Sequence, residues 1–201
     1  MTLKRYSRRM RKIFLTVGFF VVCSAFLLGQ NSSSQKIDDA FVHGQFGDQF
    51  TLLPEVPPVF GDLDGDGVQD VVIAARCKNP MLDQASYKYR VIDPYDEYFG
   101  FGDPRMTTTF PEGDPSLRGL VTLIIHGSGP EAWRSANPKA KYVIVNLPFR
   151  AISVRKLEVN KKKTIDALYV EEGGDTGISS ALFYDVKRTR YRYVPMGGDM
   201  Q

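Results

Sequence analysis

The chain has 201 residues with 26 basic and 23 acidic side chains, which gives a formal net charge of +3. Six basic residues and no acidic one lie in residues 1–12, so the rest of the chain has 20 basic and 23 acidic residues and a net charge of −3. This acidic balance excludes net electrostatic attraction to nucleic acid. After residue 30 only Cys77 remains, which excludes an internal disulfide.

The N-terminal segment predicts export. Residues 1–12 are basic, residues 13–29 are apolar and residues 30–35 are polar, which is the order found in secretory signal peptides. The apolar run is slightly shorter than the roughly 20 residues of a usual membrane span, so a retained anchor is the alternative. We therefore interpret residues 1–30 as a signal peptide or N-terminal membrane anchor. An extracytoplasmic location follows, whether periplasmic, secreted or anchored, with membrane contact only through this segment.

The rest of the chain predicts a flexible polar linker over residues 31–48 and a β-rich domain over residues 49–201. Short segments rich in Val, Ile and Tyr alternate with turns, and no long stretch shows helical apolar spacing. The predicted strands cover residues 70–75, 87–93, 120–127, 141–146, 151–157, 165–170, 180–185 and 191–195. The predicted fold class is mainly β, in one compact domain.

Residues 93–118 are dense in Gly, Pro and Asp, which predicts a long surface loop. Its first nine residues include the aromatic side chains of Tyr95, Tyr98, Phe99 and Phe101. We expect these aromatics to fold back on the sheet; a role in meeting a partner is the alternative.

The segment GDLDGDGVQD before the first strong strand predicts a calcium loop. Asp62, Asp64 and Asp66 alternate, and Asp70 follows four residues later. Ca²⁺ takes six to eight oxygen ligands, and alternating carboxylates in a tight loop can converge on one centre. Gly65 and Gly67 permit positive φ. The predicted ligand set is Asp62, Asp64, Asp66, the Val68 carbonyl and Asp70, with an acidic turn without metal as the alternative.

The same aspartates also match the start of an EF-hand loop, but its twelfth position here is Ile73 and a strand follows. The strand version resembles the FG-GAP repeat, also seen in VCBS-type bacterial proteins, over about fifteen to twenty residues. The resemblance implies Ca²⁺ in the loop, antiparallel β-propeller blades, and adhesion or binding outside the cell. It implies metal ligation by the five residues named above.

A degenerate second copy of this pattern lies downstream. Glu158, Asn160, Lys162 and Asp166 have the spacing of Asp62, Asp64, Asp66 and Asp70, and an apolar strand follows both sets. Because an ammonium group repels Ca²⁺, we expect this loop to be free of metal, with one of Lys161, Lys162 or Lys163 neutralising the acids. A solvated basic hairpin turn is the alternative. Two units are too few for a closed propeller, so the resemblance implies a partial, propeller-like arrangement of blade-like units; the oligomeric state stays open.

Motifs for catalysis are weak, and we predict that the protein is not an enzyme. Asp175 begins an Asp-Thr-Gly tripeptide, but the apolar strand that precedes it in aspartic proteases is missing. His43, His126 and Cys77 have no triad or zinc spacing.

The sequence therefore predicts an exported domain with a structural Ca²⁺ loop and a binding or scaffolding role toward a protein or glycan partner. The alternatives are an extracytoplasmic aspartic-type hydrolase using Asp175, and a membrane-tethered envelope protein without metal.

Overall fold

The computed structural model describes residues 36–99, 116–160, 163–173 and 179–197. The chain divides into two compact units, Met1–Ser33 and Ser34–Gln201, and all described residues belong to the second. The helices are α1 (Asp39–Phe46), α2 (Gln84–Tyr87) and α3 (Pro94–Phe99), and a 3₁₀ segment covers Gly129–Arg134. The strands are β1 (Phe50–Leu52), β2 (Val59–Gly61), β3 (Asp70–Cys77), β4 (Arg90–Ile92), β5 (Leu120–His126), β6 (Ala140–Ile144), β7 (Phe149–Asn160), β8 (Lys163–Glu172), β9 (Ser179–Asp185) and β10 (Arg190–Gly197).

Two open sheets form the domain. The first has the order β1-β3-β5-β6-β4, and β2 pairs with the start of β3 beside β1. The second is an antiparallel meander of four consecutive strands in the order β10-β9-β8-β7. The prediction of a mainly β fold is confirmed. The expectation that all units are antiparallel is wrong for the first sheet, because β4 pairs with β6 in parallel.

The first sheet is the middle layer of the domain. Residues that alternate along β3 and β5 enter two different apolar clusters: Val72 and Ile124 pack toward the second sheet, whereas Ile73 and Leu123 pack toward α1 and the 3₁₀ segment. Successive side chains of a strand point to opposite faces, so a middle strand must be apolar on both. This explains the unbroken apolar runs of β3 and β5.

Helix α1 corrects the predicted linker over residues 31–48. Residues 39–46 are helical, and Phe41, Val42 and Phe46 are buried against the first sheet. The Asp38 carboxylate caps the helix by accepting a hydrogen bond from the Phe41 amide at 3.0 Å. Eight residues are too few to show a clear helical repeat in sequence, which is why the segment resembled a linker.

The 3₁₀ segment covers the same face of the first sheet. It carries Trp133, the chain's single tryptophan, which is buried and contacts Phe41 edge-on with ring centroids 5.5 Å apart. On its other side Trp133 lies 5.8 Å from the ring of Phe60 in β2.

The aromatic segment after Asp93 begins as helix α3. Tyr95 and Tyr98 pack on Tyr193 of β10, with ring centroids 5.2 and 5.4 Å away. The buried Glu172 carboxylate accepts hydrogen bonds from the hydroxyls of Tyr95 and Tyr193. These two tyrosines of the segment therefore fold back on the second sheet, as expected, while Phe101 lies outside the described residues.

The predicted signal peptide or anchor over residues 1–30 also lies outside the described residues. Within the described ranges, no helix has the length and apolar character needed to cross a membrane.

Lys141 of β6 contacts the C-terminal end of α1. Its titration can therefore be used to test the packing of α1 against the first sheet. Its Nζ donates to the Gln45 carbonyl at 2.5 Å and lies 5.6 Å from the centre of the Phe46 ring. Burial lowers the pKa of Lys141 to about 8.

We expect stability to rise with pH because of Lys141. Between about pH 8 and about pH 10 the unfolded chain keeps a proton on Lys141 that the folded chain has released, so the free energy of unfolding increases. Lys141→Met should remove this contribution. Urea unfolding across this pH range measures it, with the exposed Lys187→Met as the control, and equal pH slopes for the wild type and Lys141→Met would contradict the assignment.

Candidate metal site

The acidic loop covers residues 62–69 and joins β2 to β3. Gly61 pairs with Asp70 at its base, so strands lie on both sides of the loop, as the sequence predicts. Gly65 and Gly67 have φ values of +77° and +84°. A side chain is strained in this region, so glycine is required for the loop to turn.

The loop folds around the Asp62 carboxylate. Asp62 Oδ1 accepts hydrogen bonds from the amides of Gly65 and Asp66 at 2.9 and 3.0 Å, and Oδ2 accepts one from Gly67 at 2.9 Å. Asp66 Oδ1 in turn accepts from the Val68 amide at 2.9 Å. Backbone N–H groups therefore offset part of the repulsion between the clustered carboxylates.

Asp70 fixes the loop to the first sheet from a buried position. Its Oδ2 accepts from the Leu63 amide and its Oδ1 from the Gly127 amide, each at 2.8 Å. Burial raises the pKa of Asp70 to about 7, although these two hydrogen bonds act in the opposite direction. Gly127 must be glycine, because a Cβ there would lie 2.4 Å from the Gln69 carbonyl oxygen.

Three of the predicted ligands converge. Carboxylate oxygens of Asp62, Asp64 and Asp70 all lie within 4.8 Å of one another, and Asp64 and Asp70 are buried. Such a cluster can hold a metal ion. Buried like charges at this separation destabilise the fold unless a cation or a proton offsets them.

Asp66 has a different partner, Lys139. Lys139 Nζ lies 2.6 Å from Asp66 Oδ2 and 2.6 Å from Asp64 Oδ2, and its side chain is 49% exposed. The contacts with these two carboxylates hold the pKa of Lys139 above its usual value. Partial burial raises the pKa of Asp66, but the contact with Lys139 and other hydrogen bonds outweigh it, so the pKa is lowered overall.

His126, like Lys139, contacts the acidic loop, and the spacing of residues in the sequence did not identify either of them as part of the site. Its side chain is 1% exposed; Nε2 lies 2.7 Å from the Tyr191 hydroxyl and Nδ1 lies 3.4 Å from Asp64 Oδ2. Burial lowers the pKa of His126 to about 4, so the imidazole is neutral at pH 7.

Two buried polar atoms meet between His126 and the loop. Among the described residues, His126 Nδ1 has no hydrogen-bond partner, and the only partner of Asp64 Oδ2 is the ammonium group of Lys139 at 2.6 Å. A buried polar atom without a hydrogen-bond partner is costly. His126 Nδ1 is therefore a second indication that the loop takes a cation.

The predicted second loop has a different structure. Pairing of β7 with β8 continues to Asn160 and Lys163, so Glu158, Asn160 and Asp166 lie in paired strands. Glu158 is exposed and pairs with Thr164, and Lys162 lies outside the described residues.

Asp166, the last residue of the second pattern, contacts the first loop. Its Oδ2 accepts from the Asp62 amide at 3.0 Å, and its Oδ1 is 2.9 Å from Lys156 Nζ. Lys156 therefore pairs with Asp166, where one of the lysines at 161–163 was expected. Gly61 makes this approach possible, because a Cβ there would lie 2.6 Å from Val154 Cγ1.

The remaining residues singled out in the sequence lie apart from the loop. Cys77 is a buried free thiol at the end of β3, and burial raises its pKa to about 12. His43 lies on α1, with Nδ1 3.9 Å from Asp48 Oδ1. Asp175 lies outside the described residues.

Comparison of the chain with protein-family models, with curated proteins and with solved structures finds no match.

Replacing Asp166 tests its role as a brace of the first loop. Asp166→Ala should lower the free energy of unfolding by about 1–2 kcal/mol, because it leaves the Asp62 amide without an acceptor. Asp166→Asn keeps an acceptor oxygen and should cost less. Urea denaturation measures both.

Lys156→Ala is the control for that experiment. It removes only an exposed ion pair, which is worth about 0–1 kcal/mol. If Lys156→Ala lowered the free energy of unfolding as much as Asp166→Ala does, the ion pair would account for the stabilisation by Asp166, and the hydrogen bond to the Asp62 amide would not.

Proposed function

We propose that this protein is a Ca²⁺-binding β-domain in which the loop of residues 62–69, closed by Asp70, holds a structural ion. The observation that carries the proposal is the convergence of Asp62, Asp64 and Asp70 within 4.8 Å, with two of the three carboxylates buried. Ca²⁺ is the preferred ion because every donor in the set is a carboxylate oxygen, which suits a hard cation.

The ligand arrangement follows from the contacts of the loop. Asp62, Asp64 and Asp70 each keep lone pairs in addition to those used by backbone amides. Asp66 joins the ligands when Lys139 releases it, and the Val68 carbonyl completes the predicted set. The buried His126 Nδ1, which has no hydrogen-bond partner and lies 3.4 Å from Asp64 Oδ2, supports a cation at this position.

The ion would stabilise the domain by cross-linking it. Asp70 belongs to β3 and contacts the residue after β5, while Asp62 is held by Asp166 of the second sheet. An ion shared by Asp62 and Asp70 would join the loop to both sheets, and any ligand that binds only the folded state raises stability.

The wider role that we propose is binding or scaffolding outside the cytoplasm, toward a protein or glycan partner. It is supported by the basic-apolar-polar order of residues 1–35 and by the resemblance of the loop to FG-GAP and VCBS-type repeats. The four-stranded meander β7–β10 supports the blade-like part of that resemblance, because each propeller blade is a four-stranded antiparallel sheet.

Calcium should raise the melting temperature of the chelator-treated protein. At a Ca²⁺ concentration about 100 times the dissociation constant the gain is about 2.7 kcal/mol, or about 5–10 °C for a chain of this size. Differential scanning calorimetry with millimolar Ca²⁺ measures the shift, and elemental analysis gives the bound ion.

Asp64→Asn should abolish that shift, because it removes the charge of a buried ligand while keeping the shape of the side chain. Asp185→Asn is the matched control, since Asp185 ends β9 away from the acidic loop and has Arg188 as its partner. The proposal fails if the wild type shows no shift and retains no ion, or if both variants respond like the wild type.

A further inference from the structure

The Asp62–Asp70 loop already receives a cation from its own chain. Lys139 Nζ lies 2.6 Å from the carboxylates of both Asp64 and Asp66. Its position is fixed by the main chain, because the Lys139 amide donates to the His126 carbonyl at 3.0 Å, directly before β6 pairs with β5. The register of the first sheet therefore places the Lys139 ammonium group beside the loop.

One ammonium group does not satisfy the whole cluster. It contacts Asp64 and Asp66, whereas Asp62 and Asp70 are held by backbone amides. His126 Nδ1, which is buried and has no hydrogen-bond partner, also faces Asp64 Oδ2 at 3.4 Å. The lysine thus offsets charge without supplying the coordination that these oxygens can accept.

Lys139 and a divalent ion would compete for Asp64, because Lys139 already occupies its Oδ2. Ca²⁺ binds carboxylate oxygens at about 2.3–2.6 Å, which is the distance already taken by the ammonium group. Two cations on one carboxylate repel each other strongly where water is scarce. The Lys139 side chain is half exposed, so its flexible stem can move the charge into solvent.

We propose that Lys139 is an internal competitor of the metal ion: it neutralises the acidic loop when no ion is bound and must leave Asp64 and Asp66 when a divalent cation enters. This inference rests on the proposed Ca²⁺ site and assigns Lys139 as the residue that sets its affinity. The loop then has two states. In one, the Lys139 ammonium group neutralises its carboxylates, and in the other the metal ion does.

Calcium titration of the full-length, chelator-treated protein tests the proposal. Lys139→Gln should bind Ca²⁺ ~10-fold more tightly than the wild type by isothermal titration calorimetry, because the ion no longer displaces a bound charge. Without metal the variant should melt at a lower temperature than the wild type. Lys156→Gln is the matched control, since Lys156 pairs with Asp166 outside the loop, and its Ca²⁺ affinity should equal that of the wild type.

The outcomes separate this inference from the proposed function. Equal Ca²⁺ affinity of the wild type and Lys139→Gln overturns the competitor role and leaves the calcium site standing. Binding by Lys139→Gln alone supports the competitor role and contradicts a calcium site in the wild type. Binding by neither protein overturns both.

A second measurement on the wild type covers the case in which Lys139→Gln does not fold. The rate of Lys139 acetylation, followed by mass spectrometry, should rise on addition of Ca²⁺, because the displaced amine becomes accessible. The rate of Lys156 acetylation should stay constant. An unchanged Lys139 rate in protein that has bound Ca²⁺ overturns the proposal.

Discussion

The buried carboxylate of Asp70 is the interaction on which the candidate site depends. It begins the central strand β3 and accepts one amide from inside the acidic loop, Leu63, and one from the end of β5, Gly127. An ionised carboxylate is costly to bury, and these two charge-assisted hydrogen bonds offset part of that cost. Because both donors are main-chain groups, Asp70 ties the backbone of the loop to the backbone that follows β5.

The second sheet reaches the same loop from the other side. Asp166 holds the amide of Asp62, and Gly61 lets the β7–β8 hairpin approach β2 closely. Sequence spacing assigned Asp166 to a second, metal-free loop, but its carboxylate holds the first loop instead. Asp166 lies in β8 of the second sheet and braces the loop that leads into β3 of the first sheet.

Sequence patterns predicted the larger strands because buried strands leave a strong signal. β3 and β5 are apolar on both faces, and the turns around β7–β10 are rich in charge and glycine. The three-residue strands β1 and β2 and the eight-residue α1 were missed, since such short elements owe their structure to tertiary contacts and have no clear periodicity.

The residues of the candidate site also fall into a group that the sequence predicted and a group that it did not. Asp62, Asp64 and Asp70 were predictable because they lie within one loop, where spacing alone sets geometry. His126 and Lys139 join the loop through the pairing of β5 with β6, which depends on sheet register and has no signature in local spacing. The charge balance of the acidic loop therefore cannot be derived from residues 62–70 alone. Its counter-ion is the ammonium group of Lys139, which is more than sixty positions away in the sequence.

Trp133 gives this site an optical consequence. It is the chain's single indole, and its ring lies beside Phe60 just before the loop. Its backbone nitrogen lies so close to Gly127, the residue that holds Asp70, that a Cβ at Gly127 would be 2.9 Å from it. Its surroundings are dry, so its fluorescence should be blue-shifted and free of overlap from any other indole. A movement of Phe60, which precedes the loop, or of Gly127, which holds Asp70, should change the polarity around the Trp133 ring. An intrinsic fluorophore therefore lies close to the acidic loop, and its emission spectrum offers a label-free probe of the proposed ion binding.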